Sequence, residues 1–339
     1  MKKIKILGIG GTISSLQSNE GFKPGISVES IIQYIPRVLE YYTLEVEEIM
    51  MVDSANLQPE DWIIIAEKIK DNLNDVTVHG VVLTHGTDTM AYSAAATSIL
   101  LRNITKPVVF TGSQIPLEIF SSDAQRNLID AIRVAGETNI AESVIVFNSK
   151  VYRGSRTIKL REYDLSAFET IDPFPLAEIS RTIDIIDPFI KTRSKAQTWL
   201  DGGLNVNVAL IKIFPGLDPK IIENLPELGY EGIVLECYGA GNIPILKRSL
   251  VKCIKNLRSM NIPVIITSMC IYGRAELYLY ETGKMAKDAG AISGFDMLSE
   301  VALIKLMWAL NKTNDFDEIK DIIYSNVAGE INTVIGPLT

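Results

Sequence analysis

Short, almost wholly apolar runs alternate along the chain with longer stretches in which apolar residues recur every three or four positions. The runs lie at 5–9 (KILGI), 80–84 (GVVLT), 107–111 (PVVFT) and 143–147 (SVIVF), then at 208–214, 232–237 and 263–267. Runs this short, with no polar face, fit strands buried on both sides of a largely parallel sheet. Between them, 59–73 sets Trp62, Ile65, Ile69 and Leu73 on one helical face. Glu60 and Asp61 occupy its first turn, where negative charge suits the helix dipole. Stretches 90–101, 123–135, 246–258 and 297–311 carry the same helical spacing. Strand and helix in alternation predict an α/β fold with helices on both faces of its sheets.

The alternation weakens between Asp187 and Asn205, where the chain turns polar and rich in turn formers. We therefore expect two α/β domains. A larger N-terminal domain with a mostly parallel sheet covers 1–188, and 189–206 is a linker. A smaller C-terminal domain with a parallel sheet covers 207–339. A length of 339 residues agrees with two cores.

Composition narrows the function classes. With 33 Lys and Arg against 41 Asp and Glu, the net charge is -8, and no basic cluster with interleaved aromatics occurs. A nucleic-acid partner is not expected. No run reaches the roughly 18 apolar residues of a membrane span. Lys2, Lys3 and Lys5 precede an apolar run that is broken by glycines and too short for a signal peptide. The expectation is a soluble, cytoplasmic protein without membrane association. Cys237, Cys253 and Cys270 form no CxxC pair, and only His79 and His85 could join them as ligands. Neither a zinc site nor a disulfide framework fits. Buried or half-buried thiols in a reducing compartment are expected, with no metal and no cofactor.

Three polar patches could carry chemistry. The first strand runs into Gly8-Ile9-Gly10-Gly11-Thr12-Ile13. Ile13 stands where a dinucleotide fingerprint needs its third glycine, and no Gly-Lys-Ser/Thr follows, so the phosphate-loop pattern fails too. What remains is a glycine-loosened turn presenting the Thr12 hydroxyl, which serves a helix cap as readily as a nucleophile. The stretch 12–27 after it reads as a mobile surface loop at a strand's carboxyl end, where α/β sheets bind ligands. The second patch, Thr84-His85-Gly86-Thr87-Asp88-Thr89, opens a helix. It can cap that helix or offer N–H groups to an anion. The third, 152–159 (YRGSRTIK), ends in Lys159, which is either a solvated surface charge or a lysine tuned to take a hydroxyl proton. A Ser-His-Asp hydrolase lacks its G-x-S-x-G elbow, and nothing selects the paired carboxylates of glycoside chemistry.

In this order and spacing the patches resemble the bacterial and archaeal L-asparaginase family, and within it the cytosolic, type I-like branch. The similarity runs from Gly8 to Ile331 through GGTI at 10–13, VDS at 52–54, PEDW at 59–62, THGTDTMAYSA at 84–94 and TGSQIP at 111–116. It continues through SD at 122–123, YRGSRTIK at 152–159, YGAGN at 238–242, EVALIKLMW at 300–308 and GEI at 329–331. The resemblance implies a cofactor-free amidohydrolase that converts L-asparagine to aspartate and ammonia. Thr12 would be the nucleophile that forms an acyl-enzyme ester. Thr87, Asp88 and Lys159 would form a second catalytic set. Ser54 would hold the substrate α-carboxylate, with Asp53 beside it, and Asp88 the α-ammonium. It further implies a homodimer or homotetramer with the site at the subunit interface, completed by Asn242 and Glu276 of a neighbour. Two positions depart from the pattern. Phe22 stands where the family's loop carries a tyrosine, and its ring neither donates nor accepts a proton. Ala55 replaces a glutamine of many periplasmic relatives, a change that bears on the choice between asparagine and glutamine. Related domains also serve as glutaminase subunits of tRNA amidotransferases, which carry an extra domain before the nucleophile. Here Thr12 lies near the start, which favours the asparaginase. A non-catalytic amino-acid-binding homologue has Phe22 as its support, against the retention of Thr12, Thr87, Asp88 and Lys159.

Overall fold

The computed structural model describes residues 1–18 and 21–332, and for residues 12, 15–18 and 21–24 the backbone only. It divides into two compact units, Met1–Asp201 and Gly202–Thr339. The division falls inside the polar stretch. Residues 189–201, expected in a linker, belong to the first unit. Thr198 is buried there, its N–H donating to Asn74 and its hydroxyl to the Asn103 carbonyl.

The strands of the first unit are β1 (Lys2–Gly10), β2 (Ser15–Ser18), β3 (Gly21–Pro24), β4 (Tyr42–Val52), β5 (Val78–Thr84), β6 (Leu101–Arg102) and β7 (Val108–Thr111). They continue as β8 (Ser143–Phe147), β9 (Lys150–Arg153), β10 (Thr157–Lys159), β11 (Phe168–Thr170), β12 (Ala177–Ile179), β13 (Ile183–Ile185) and β14 (Trp199–Leu200). The main sheet has the order β13-β12-β9-β8-β7-β5-β1-β4. From β4 to β8 every pairing is parallel, and from β8 to β13 every pairing is antiparallel. The apolar runs thus mark the parallel half. β4 gives no such run because it is an edge strand with alternating polarity. Its Glu45 and Glu47 accept from Lys5 at 3.1 and 2.9 Å, and Lys68 adds a 2.7 Å pair with Glu47.

Among the described residues this unit has the α-helices α1 (Val28–Ile32), α2 (Pro59–Asn74), α3 (Met90–Leu100) and α4 (Ala124–Glu137). α2 starts where the sequence predicts. Pro59 fits the first turn, and the Gln58 N–H donates to the Asp61 carboxylate at 2.8 Å. α4 lays Leu128, Ala131, Ile132 and Ala135 on Ile4, Ile6, Val82, Val109 and Val144 of the sheet. Each fully buried aliphatic side chain of this kind contributes about 1.5–3 kcal/mol. The stretch expected to be a mobile loop instead forms a β-hairpin, β2 pairing antiparallel with β3. Four-residue strands without apolar alternation carry no sequence signal.

The second unit has a parallel sheet of β15 (Val208–Lys212), β16 (Gly232–Cys237), β17 (Val264–Ser268) and β18 (Ile292–Ser293). Its helices are α5 (Pro219–Glu223), α6 (Val251–Ser259), α7 (Glu281–Asp288), α8 (Ser299–Lys312) and α9 (Phe316–Tyr324). The helix expected from residue 246 begins only at Val251, because Arg248 adopts φ 52° and interrupts the right-handed turn. Cys237 and Cys253 are buried as expected, but Cys270 is exposed. Among the described residues no helix is long and apolar enough to cross a membrane.

Candidate active site

Strand register brings the sequence patches together. Gly8 pairs with Thr84, Gly10 with Val52, and Thr84 with Thr111, so β1, β4, β5 and β7 end at one level. The residues that follow them are Gly11-Thr12, Asp53-Ser54, His85 to Asp88, and Gly112 to Gln114. Glycine is required where these turns meet. Gly10 (φ 110°) and Gly11 (φ 86°) are left-handed. A Cβ on Gly11 would lie 2.2 Å from the Gly86 nitrogen, and one on Gly86 would lie 2.5 Å from Ser54 Oγ. The Gly11 and Gly86 turns therefore pack backbone against backbone, and the Ser54 side chain packs on Gly86. Thr12 opens a short 3₁₀ turn closed by Ser14, whose N–H and hydroxyl donate to the Gly11 carbonyl at 3.0 and 2.9 Å. The side chains of Thr12 and Phe22 lie outside the described part of the structure.

Lys159 reaches this end at the close of β10. Its ammonium donates to Thr87 Oγ1 at 2.8 Å and to Asp88 Oδ1 at 2.7 Å. Thr87 is buried, whereas the Asp88 side chain is 64% exposed and open to an incoming molecule. Thr87, Asp88 and Lys159 are thus brought into direct contact. Ser54 is buried beside them, and its carbonyl accepts from Thr89 Oγ1 at 2.7 Å. Asp53 caps the 3₁₀ turn Ser54–Asn56, its carboxylate accepting the Ala55 N–H at 2.9 Å.

Asn242 and Glu276 belong to the second unit. Asn242 Oδ1 accepts from Thr282 Oγ1 at 2.8 Å, beside a cavity of about 560 Å³ lined also by Tyr238 and Tyr280. Glu276 pairs with Arg274 at 2.6 Å. A Cβ on Gly241 would sit 2.7 Å from Leu277 Cδ2, so the two candidate residues lie on segments in close contact.

Two residues of the first unit had no role assigned from sequence. Gln114 accepts the Thr87 hydroxyl proton on Oε1 at 3.1 Å. Its position just past the end of β7, level with the end of β5, is the signal that could have found it. His85 is fully buried, and burial pushes its imidazole down to about 4. Nδ1 faces the Gly86 carbonyl at 2.7 Å and Nε2 faces Ser93 Oγ at 2.8 Å. A carbonyl only accepts, so the neutral ring carries its hydrogen on Nδ1 and accepts the Ser93 proton on Nε2. The ring thereby holds the peptide that precedes Thr87. Among the described residues no group of three or more His, Cys, Asp or Glu side chains could hold a metal ion. The cluster holds a buried hydroxyl against an ammonium and an exposed carboxylate, a set suited to proton transfer and to binding a charged amino group.

Residues 3–190 match the family model described as asparaginase, N-terminal, and residues 207–323 match the glutaminase/asparaginase C-terminal domain. The chain is 36% identical to the L-asparaginase of Thermococcus kodakarensis over 97% of its own length and 99% of that protein's. The solved structure of the thermostable L-asparaginase from that organism superposes with a TM-score of 0.90. The structure of L-asparaginase I from Vibrio cholerae gives 0.86 at 30% identity, covering 98% of this chain and 99% of that one. A subunit of the glutamyl-tRNA(Gln) amidotransferase of Pyrococcus furiosus is 38% identical over 99% of this chain and 78% of its own length.

Proposed function

Because the chain belongs to the asparaginase family, we propose that it hydrolyses L-asparagine to L-aspartate and ammonia without a cofactor. The observation that carries this reading is the Lys159 ammonium held between Thr87 Oγ1 and Asp88 Oδ1. The Thr12 hydroxyl attacks the side-chain amide carbon. Backbone N–H groups at the turns of Thr12 and Thr87 stabilise the tetrahedral oxyanion, an effect commonly worth about 100-fold or more in rate. The proton that Thr12 gives up on attack passes through the Thr87–Lys159 pair to the leaving nitrogen, so ammonia departs and an ester on Thr12 remains. Water then attacks that ester, and aspartate departs. Asp88 holds the substrate's α-ammonium by a charge-assisted hydrogen bond, and Ser54, flanked by Asp53, receives its α-carboxylate. Asn242 and Glu276, supplied by a second copy of the chain, complete the site in a cytoplasmic homo-oligomer.

A second reading has its own support. The 38% identity to an amidotransferase component favours a glutaminase that works with a partner protein. Ammonia release from L-asparagine and L-glutamine by wild type, Thr12→Ala and Phe22→Tyr separates the two. Asparagine turnover that vanishes in Thr12→Ala supports the first reading and shows that Phe22 is tolerated. Recovery only in Phe22→Tyr identifies a family fold whose chemistry was lost at the hairpin. Silence toward asparagine in all three folded proteins overturns the asparaginase reading, and turnover of glutamine alone selects the second.

A further inference from the structure

We propose that Gln114 is the positioning residue that sets the Thr87–Lys159 contact and directs the Thr87 proton; this rests on the hydrolase reading of the site. The Gln114 backbone is fixed first. Its N–H donates to both oxygens of Asp123 at 3.1 Å, and Asn127 Nδ2 bonds Asp123 Oδ2 at 2.9 Å and the Gly112 carbonyl at 3.0 Å. The side-chain amide then bridges two elements. Its Nε2 donates to the carbonyls of Glu162 at 2.6 Å and Asp164 at 3.2 Å, in the turn that joins β10 to β11. Its Oε1 accepts from Thr87 at 3.1 Å. One amide therefore ties the threonine to the hairpin that carries its lysine.

The donor count fixes every direction. Carbonyls only accept, so Nε2 must face residues 162 and 164 and Oε1 must face Thr87. A lysine ammonium only donates, so Thr87 accepts from Lys159. The single hydroxyl hydrogen of Thr87 then points at Gln114. For Lys159, once neutral, to take that proton, the hydroxyl must turn from one partner to the other about a fixed oxygen. Gln114 holds that oxygen in place without competing as a base, since a neutral amide does not take up a proton near pH 7.

The variants are Gln114→Met, similar in length without hydrogen bonds, and Gln114→Glu, which puts a negative charge against the Thr87 hydroxyl that Lys159 also bonds. In Gln114→Met, kcat for asparagine or glutamine falls about tenfold or more, the rate equivalent of a lost hydrogen bond, while KM changes little. In Gln114→Glu a charged acceptor holds the Thr87 hydrogen more tightly, and kcat again falls about tenfold or more while KM changes little. A merely structural glutamine would lower the melting temperature in both variants and leave kcat per folded molecule in place. Retained kcat in either variant overturns the proposal. If wild type releases no ammonia from either amide, the hydrolase reading has failed, and a crystal structure of Gln114→Met decides the positioning role by itself. Opening of the 2.8 Å Thr87–Lys159 contact supports it, and an unchanged contact overturns it.

Discussion

Lys159 in the first unit and Lys305 in the second make nearly equal contacts with carboxylates, at 2.7 Å to Asp88 and 2.6 Å to Glu330. Their surroundings differ in every other respect. Lys305 and Glu330 are fully buried. The Lys305 ammonium also donates to the carbonyls of Ile323 and Ser325, and Glu330 also accepts the N–H groups of Val327 and Ala328. Burial pushes the Glu330 carboxyl up, but the charge and hydrogen bond of Lys305 outweigh it and hold it below the usual carboxylate range. Lys159 instead shares its charge with a carboxylate that is 64% exposed and with a threonine hydroxyl. A buried charge surrounded by fixed partners locks a loop, here residues 325–331, and has nothing left to give a ligand. A charge left half-satisfied at a strand end is available for chemistry.

Substituting each lysine tests that contrast. Lys159→Met should lower kcat by about 10³–10⁴-fold, within the range for loss of a positioned proton-transfer group. Its cost in stability should stay under about 1 kcal/mol, since the partner carboxylate is solvated. Lys305→Met should do the reverse. It strands the Glu330 carboxylate in a dry interior and should cost about 3–5 kcal/mol in urea unfolding, with kcat per folded molecule unchanged. Pairing it with Glu330→Leu should restore much of that loss. If Lys305→Met abolished turnover in protein of undiminished stability, the division of labour between the two lysines would be wrong.

Acid titration sharpens the contrast further. His85 sits at about 4 in the folded protein against an ordinary 6.5. Between those values the unfolded chain binds a proton that the folded chain refuses, so stability falls as pH drops from 6.5 through 4, by up to about 3 kcal/mol. Glu330 behaves differently. Its depressed folded value means that its contribution is intact above the ordinary 4.5 and is lost only as pH falls through the folded value. His85→Gln should therefore flatten stability between pH 6.5 and 4.5 while leaving the loss at lower pH. Urea unfolding at a series of pH values reads both, and an unchanged slope above pH 4.5 would refute the role given to His85.

The parallel half of the first sheet was legible because its strands are buried on both faces, which forbids polar residues at consecutive positions. The antiparallel half and the edge strand β4 were not. Strands of three or four residues such as β12 and β13, or ones that alternate Leu44, Val46 and Ile49 with Glu45, Glu47 and Glu48, look like loop or surface helix. In the site, Thr87 and Asp88 stood out as polar residues past the end of an apolar strand, whereas Lys159 was picked out only by the resemblance of its polar patch, YRGSRTIK, to the family. Gln114 did not, since its importance lies in which two elements its amide spans. Lys305 and Glu330 lie inside the motifs EVALIKLMW and GEI, but helical spacing alone reads Lys305 as one more position on α8. Twenty-five residues separate it from its partner, and only the tertiary fold brings them together.

The smallest expected effect brings the same contrast inside the candidate site. Asp53 is a site candidate whose carboxylate already accepts the Ala55 N–H at 2.9 Å, capping the turn that carries Ser54. As a cap, its loss in Asp53→Ala should cost about 1 kcal/mol. Asn caps as well as Asp does, so Asp53→Asn should restore that stability while removing the charge. The two variants then separate the roles. We expect Asp53→Asn to keep wild-type stability and kcat/KM, because the oxygen facing Ala55 survives and the turn still presents Ser54. A kcat/KM that falls equally in both variants, with stability recovered only in Asp53→Asn, would instead show that the charge meets the substrate. Asp53 would then stand with Asp88 among the groups left open to a ligand rather than with Glu330 among those consumed by the fold.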